Sequence, residues 1–444
     1  MFLSPAEAKQ ITDRLLSNSR ADSCGVTIYG GDRTNLRFAR NNATTNGSLS
    51  SLSVAISATF GGRSGTVMVN GLENEVLAHA QARAEEIARL APVNPEFMPP
   101  LGPQSYAAGA GYDEPSANKR AGDLALGAKT VIEQALSRKV DAAGYGETAR
   151  AFSALATSAG LFAYDRGTSS RFAFTARNSA GSWSGWAAGL ETRFDQLDAA
   201  KLGARAIEKA AYDAAPVDLE PGKYTVILEP SAVADLVSYL LWNLDARAAD
   251  EGRSFLAKKG GGTKLGEKLL HEAVTITSDP DDPLVPEPIY GVDGLPQRRT
   301  AWVEAGVVRN LPYSRFWAQK MGREPLSPPQ TFVMAGGPTS IEDMIKDTKR
   351  GVLVTRLWYI RDVDPQTLLL TGLTRDGNFL IEDGRIAAPA RNFRFNESPV
   401  AMLSNILAMG PTERTHGGEV DNAAFAAPPL LVKDFTFSSR SSGI

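Results

Sequence analysis

Residues 356–386 read RLWYIRDVDPQTLLLTGLTRDGNFLIEDGRI, and this stretch decides the fold class. Just upstream, residues 352–360 are a β-branched and aromatic run, which predicts a buried strand because such side chains fit a pleated surface. Arg375, Asp376 and Gly377, and again Asp383 and Gly384, supply turn chemistry, since Asp and Gly tolerate the left-handed backbone of a tight turn. Between these turns residues 378–382 predict a short strand. Two strands should therefore meet at a tight turn beside a long loop. An ordinary hairpin with an Asp-Gly turn would explain residues 382–384 alone, but not what precedes them.

Upstream, residues 225–255 read TVILEPSAVADLVSYLLWNLDARAADEGRSF. A short β-branched strand leads through Glu229-Pro230 into a periodic apolar pattern. Val233, Leu236, Val237, Leu240, Leu241 and Leu244 recur at the spacing of one face of an amphipathic helix. Pro230 suits the first turn, where its missing N–H is not needed, and Gly252 suits the stop.

In order and spacing the two stretches resemble the TldD/PmbA (TldD/TldE) peptidase family, whose PmbA-like members also run into an aromatic residue and then an Ile-Glu-Asn/Asp-Gly turn. The resemblance implies that in a catalytic TldD-type subunit the helix after the Pro-containing turn carries His-Glu-x-x-x-His. Its two imidazoles bind zinc and its Glu activates a water. Laid on this chain from Pro230, that motif falls on Ser238 and Asn243 in place of the histidines and on Tyr239 in place of the glutamate. Ser and Asn are poor zinc ligands, and Tyr is no carboxylate base at neutral pH.

The resemblance is therefore to the PmbA/TldE-type subunit, whose strand, helix and following Ser-Phe-Leu agree in length with residues 225–256. It implies a non-catalytic subunit that holds no zinc itself and pairs with a TldD-like metallopeptidase subunit. That partner would carry the zinc and cleave unfolded or short peptides inside a closed cavity, sometimes trimming leader peptides. In TldD-type chains a third zinc ligand, a Cys, comes from a C-terminal segment. Here residues 410–418, GPTERTHGG, stand at that place without a cysteine, and His416 is expected to be a loop residue of the cleft. Trp242 and Tyr239 fall off the apolar stripe and are expected to line a cavity or a subunit contact.

Other candidates for metal chemistry are few, because the chain holds only three histidines and one cysteine. His271-Glu272 begins like the zinc motif, but no second histidine follows at Thr275 or Ile276, and the β-branched run 274–277 places His271 at the start of a strand. His79 sits in a helical run at 73–90 and is expected on its surface. Cys24 begins a strand, where a free Cys acts as a small hydrophobe. Gly260 to Gly262 before Thr263-Lys264 lack the spacing of a phosphate loop. Two other functions stay open: a stand-alone metallopeptidase with carboxylate ligands from Asp279, Asp281 and Asp282, and a peptide-binding scaffold without a peptidase partner. The acidic run reads more simply as an exposed turn.

With 444 residues, 43% of them apolar, the chain can bury ample core. A net charge of −3 with mixed signs suggests no nucleic-acid footprint and no affinity for an anionic membrane. A single cysteine excludes an intrachain disulfide framework, and no apolar run is long enough to span a bilayer, so a cytoplasmic, soluble protein is expected.

The fold class expected is α+β, with a division at residues 1–219 and 220–444. The first part should be a β-rich α+β domain made from a repeated strands-then-helix unit. Strands at 25–29, 35–40, 51–59 and 65–69 lead to a helix at 73–90; strands at 142–146, 150–156, 161–164, 170–177 and 182–190 lead to a helix at 197–212, with a Pro/Gly-rich bridge at 94–112 and a helix at 116–136 between. The second part should be a mixed, mostly antiparallel sheet with few helices. Its helix at 340–350 is expected to start in a capping box of Thr339 and Glu342 and to end at Gly351, and the tail 438–444 should be frayed.

Overall fold

The computed structural model describes residues 1–419 and 423–441, and in it the first half of the chain is one unit built twice. α1 (Pro5–Asn18) leads into β1 (Ser23–Ala39), β2 (Asn42–Phe60) and β3 (Arg63–Val69), and α2 (Asn74–Leu90) completes the unit. After the short α3 (Glu114–Ala117), the order recurs as α4 (Ala121–Ser137), β4 (Asp141–Thr157), β5 (Phe162–Arg177), β6 (Ser184–Glu191) and α5 (Ala199–Ala210). β1 and β4 pair antiparallel, which joins both units into one six-stranded sheet ordered β3-β2-β1-β4-β5-β6.

The strands are longer than their sequence suggested. Residues 25–29 and 35–39 belong to one strand, as do 142–146 and 150–156, and likewise 162–164 and 170–177. Gly30, Gly31 and Asp32 look like a break, yet their backbone is paired on both sides, with β2 and with β4. Gly30 is required there because a Cβ would collide with the Phe152 ring. The helix expected at 116–136 begins only at Ala121, where the Asp123 carboxylate accepts the Arg120 amide at 2.9 Å.

Period-two alternation then sorts the faces. Val26, Ile28, Leu36 and Phe38 of β1 are buried under the helices, while Thr27 and Tyr29 point to the opposite face. The two closing helices approach their strands in the same way. A Cβ on Gly65 of β3 would strike Ala84 and Ala88 of α2, and one on Gly185 of β6 would strike Ala206 and Ala210 of α5.

The second half opens with β7 (Gly222–Leu228) and α6 (Pro230–Trp242). A six-stranded sheet follows from β8 (Ile276–Ser278), β9 (Thr300–Glu304), β10 (Val307–Val308) and β11 (Val333–Met334). The chain then forms β12 (Arg350–Asp364), β13 (Leu369–Glu382), β14 (Arg385–Pro389), β15 (Phe393–Glu397), β16 (Ile406–Met409), β17 (Glu413–His416), β18 (Ala424–Ala427) and β19 (Leu430–Arg440). β17 and β18 complete the six-stranded sheet. The order β12-β7-β19-β15-β13, with β13 pairing back to β12, closes a barrel. The fold is α+β, mostly antiparallel, as expected.

Several local expectations are corrected here. The supposed long loop around residues 361–377 is strand: β12 runs to Asp364 and β13 starts at Leu369, with Asp376 (φ 51°) and Gly377 (φ 125°) inside β13 rather than in a turn. Only Asp383 (φ 49°) and Gly384 (φ 77°) make a hairpin turn, between β13 and β14. The helix after residue 339 spans Ile341–Lys346 and is capped by Ser340, whose hydroxyl accepts the Asp343 amide at 3.1 Å. Gly351 lies in β12 against the Thr225 carbonyl and ends no helix. Of the tail, residues 438–440 are part of β19, and 442–444 lie outside the described residues.

α6 is not amphipathic in its surroundings. Every residue from Pro230 to Leu241 except Tyr239 is buried. It ends at Asn243, and a second helix, Ala246–Asp250, follows before Gly252 (φ 77°) turns the chain. Val233, Leu236, Val237, Leu240, Leu241 and Leu244 all join the core that fills the barrel side, each contributing roughly 1.5–3 kcal/mol by burial.

All strands of the first sheet precede those of the other two, which is the support for the proposed division at residues 219 and 220. Buried polar contacts tie the halves together. Lys209 of α5 meets Glu229 at 2.7 Å, Ser184 of β6 donates to Asp376 at 2.6 Å, and Arg414 of β17 lies 3.1 Å from Glu191.

Candidate functional site

The middle and last turns of α6, the 417–419 segment after β17 and a bulge in β12 meet at one place. Asp235 of α6 is wholly buried and accepts the amides of Gly418 at 3.0 Å and Glu419 at 3.1 Å. Gly417 must lack a side chain because a Cβ would overlap the Asp235 carboxylate. Burial pushes Asp235 up to about 7, against the downward pull of the two amides. Glu419 in turn accepts the amide of Tyr359 and lies 3.8 Å from Arg361. Tyr359 has φ 55°, a strained conformation for an aromatic residue, at a bulge where the register of β12 on β13 shifts. The hydroxyl of Tyr239 donates to the Ile360 carbonyl at 2.8 Å, which ties α6 to the same bulge.

The motif positions have other occupations. Ser238 is buried and donates to the Ala234 carbonyl at 2.7 Å. Asn243 caps the helix, and its amide group donates to the Tyr239 carbonyl at 2.9 Å. These side chains do not fit zinc: a hydroxyl, a phenol and an amide, each engaged with backbone, offer neither imidazole nor thiolate. Among the described residues no group of three His, Cys, Asp or Glu side chains is placed to hold a metal ion.

His416 is not a loop residue. It ends β17 opposite Ala424, is buried, and its carbonyl accepts the Ser231 hydroxyl at 2.8 Å. His271 lies in the turn ahead of β8 rather than in it, and its Nδ1 accepts the Ala273 amide at 3.2 Å. His79 is exposed on α2, and Cys24 is buried in β1. Asp279 and Asp282 accept amides of their own turn, from Asp281 at 3.0 Å and from Leu284 and Val285 at 2.8 Å.

Trp242 is half exposed, its ring 5.2 Å from that of Tyr239, and it borders a cleft of about 920 Å³. The floor of this cleft is the helix-free face of the first sheet. Thr27 pairs with Leu155 and Tyr29 with Ser153, while Ala149, Ala151 and Ser153 pair with Ser169, Gly167 and Asp165, so most of the floor is small side chains. The opposite wall is the loop 285–292 with Glu287 and Tyr290, joined by Gln330, Arg414 and Glu419. Tyr290 donates to Ser153 at 2.6 Å and so crosses from wall to floor.

Asp235, Glu287 and Asp165 were missed in the sequence. A lone acid inside the apolar run SAVADLVSY was the available signal for Asp235, since a buried carboxylate needs a built environment. Nothing marks Glu287 or Asp165 before the sheet and the loop come together.

Residues 221–439 match the PmbA/TldA metallopeptidase C-terminal domain, and residues 114–212 match the central domain of the same family. The chain belongs to the TldD/PmbA family. A curated metalloprotease of Methanothermobacter thermautotrophicus is 26% identical over 236 residues, which is 49% of this chain and 49% of that protein, so the match spans about half of that relative. TldE from Thermococcus kodakarensis has the same fold, with a TM-score of 0.84 at 19% identity, covering 98% of this chain and 100% of that one. A proposed modulator of DNA gyrase from Thermotoga maritima gives 0.83 at 20% identity, over 97% and 100%. Among the described residues no helix is long and apolar enough to cross a membrane.

Proposed function

We propose that this chain is a non-catalytic, TldE-like subunit that forms part of the peptide chamber of a zinc peptidase, the zinc being held by a TldD-like partner subunit. One observation carries this reading: Ser238, Tyr239 and Asn243, at the metal and base positions of α6, are each committed to a backbone carbonyl, while the helix still borders a large cleft beside an exposed Trp242. The shape of a site is kept without its metal chemistry. Asp235, bonded to the 417–419 segment, braces the helix against the strand that would bring a third ligand, so the wall needs no ion to hold it. Unfolded and short peptides are the substrates proposed for the complex, and the cytoplasm its compartment.

The test is reconstitution. The purified chain alone should contain no stoichiometric zinc by elemental analysis and leave casein and short unstructured peptides intact, whereas a mixture with a TldD-like chain from the same organism should cleave them in a chelator-sensitive way. Chelator-sensitive cleavage by the pure chain alone, with about one zinc bound, would overturn the proposal.

A further inference from the structure

We infer that the outer half of β2, residues 45–53, is a docking edge for the TldD-like partner subunit, which adds a strand of its own there and so continues the floor of the cleft. The inference rests on the peptide-chamber role proposed above and adds to it the place of the subunit contact. β2 pairs with β1 from Asn42 to Thr59, but β3 covers its other side only from Val54 to Phe60. Among the described residues no strand pairs with residues 45–53 on that side, and no main-chain group there bonds to the main chain of any element besides β1.

The turn between β2 and β3 settles which groups point outward. Gly61 (φ 55°) and Gly62 (φ 75°) join Phe60 to Arg63, and in a two-residue hairpin the closing residues bond to each other, with the bonding direction alternating from there. Phe60, Ala58, Ile56 and Val54 therefore bond to β3. The register on β1 is unbroken from Val54 back to Thr45, so the amides and carbonyls of Leu52, Ser50, Ser48 and Asn46 point outward. The Met1 amine reaches the Ser51 carbonyl at 3.2 Å, but Ser51 is one of the residues that face β1. Sheets usually blunt such an edge with Lys, Pro, a bulge or a covering element. Residues 45–53 read TNGSLSSLS, without charge or proline, and all but Gly47, Leu52 and Ser53 are exposed. The bulge of β2 lies beyond their end, against Arg37 and Phe38.

The position of the edge selects its occupant. The cleft floor reaches Thr27 and Tyr29 of β1, and β2 is the next strand, with Ser53 opposite Tyr29 and Ser51 opposite Gly31. At the far end of the same sheet β6 is held by the second half of the chain, through Ser184 with Asp376 and Leu190 with Arg414. The β2 end has no such cover among the described residues, so a chamber on this floor is closed there by another subunit. Tyr29 and Leu49 alternate onto the face of the floor, are 52% and 48% exposed, and offer an arriving strand apolar contact. A row of outward main-chain groups about 30 Å long, with no charge beside it, matches an extended backbone and neither a nucleic acid nor a charged small molecule.

The experiment mixes the full chain with the TldD-like chain, follows complex formation by light scattering, and reads hydrogen exchange at single amides. In the chain alone the amides of Asn46, Ser48, Ser50 and Leu52 should exchange fast and those of Gly47, Leu49 and Ser51 slowly. The partner should slow the first set roughly tenfold or more and leave the second set unchanged. Ser48→Pro removes one outward amide at an edge, where proline is tolerated, and should weaken the complex roughly tenfold or more. Circular dichroism and the melting temperature establish that this variant is folded, and the exchange pattern needs no variant. Ser48→Ala keeps the amide, so equal weakening by Ala and Pro would trace the effect to the hydroxyl and overturn main-chain pairing. A complex that cleaves peptides while the outward amides stay unprotected overturns the edge contact and leaves the proposed function standing. Protection of these amides in the chain alone, with a doubled mass, assigns the edge to a second copy and overturns the partner contact. Absence of both complex and cleavage overturns the contact and the proposed function together.

Discussion

Asp235 shows how a single buried side chain can tie a helix to a distant segment of the chain. It is fully buried, accepts two amides, and is held up to about 7, whereas an unfolded Asp titrates near 4. Between those pH values the folded chain keeps a proton that the unfolded chain has released. The stabilisation from this raised pKa is therefore complete below about pH 4 and is lost as pH rises through about 7. Glu287, also raised to about 7, acts in the same sense, and Asp376 in the opposite one. Burial works to raise Asp376, but the Arg356 charge with the Ser184 and Arg356 bonds carries it below its ordinary value, so its contribution is present above the carboxylate range and lost in acid. Asp235→Asn should cost stability at every pH by disturbing one amide bond, but should flatten the decline between pH 5 and pH 8. Denaturant unfolding of both proteins at the two pH values checks this, and identical slopes would contradict it. That Ser238, Tyr239 and Asn243 are poor metal ligands was legible from residue identity alone. The bonds that fix this helix were not, because the acceptor role of Asp235 depends on Gly418 and Glu419, far away in the chain.

At the scale of elements, the sequence carried period and composition well but element length poorly. The alternation of Val26, Ile28, Leu36 and Phe38 is plain, while Gly30, Gly31 and Asp32 between them read as a break that pairing on both sides overrides. The same error split β4 and β5 and turned the β12–β13 hairpin into a loop, since Asp376-Gly377 has turn chemistry yet lies inside a strand. The repeated unit, in contrast, was visible as order, and the structure gives it a packing basis. Gly65 and Gly185 each lie under a pair of alanines four residues apart on the closing helix. Gly65→Ala and Gly185→Ala should each destabilise by about 1–3 kcal/mol, because the helix backbone rather than a movable side chain blocks the new methyl group. Gly122→Ala, where a Cβ would meet nothing within 4 Å, is the control and should leave the melting temperature unchanged or slightly higher. Equal melting temperatures for all three variants would remove the close-packing argument.

For the whole molecule, the proposed function asks two halves to keep a fixed cleft between them, and the contacts that fix it are charged and buried. The bridge 94–112 and the loop 285–294 close one side, where the Tyr106 hydroxyl donates to the Gly294 carbonyl at 2.8 Å. On the other side Lys209 and Glu229 are about one-seventh exposed and 2.7 Å apart, with Thr355 donating to Glu229 at 3.3 Å. Burial lowers the Lys209 pKa while Glu229 opposes it, so the pair is sustained by its partner rather than by water. Removing one member of such a pair strands the other charge, at a cost of about 3–5 kcal/mol, whereas replacing both by neutral groups of similar size can be close to neutral. Lys209→Met should therefore shift the denaturant midpoint strongly and separate the single unfolding transition into two, as the halves lose their shared contact. Lys209→Met with Glu229→Gln should recover most of the midpoint and the single transition. If the double variant were as unstable as the sum of its parts, the pair would not couple the halves, and the fixed geometry of the cleft would have to rest on the Trp183–Phe379 and Arg414 contacts instead.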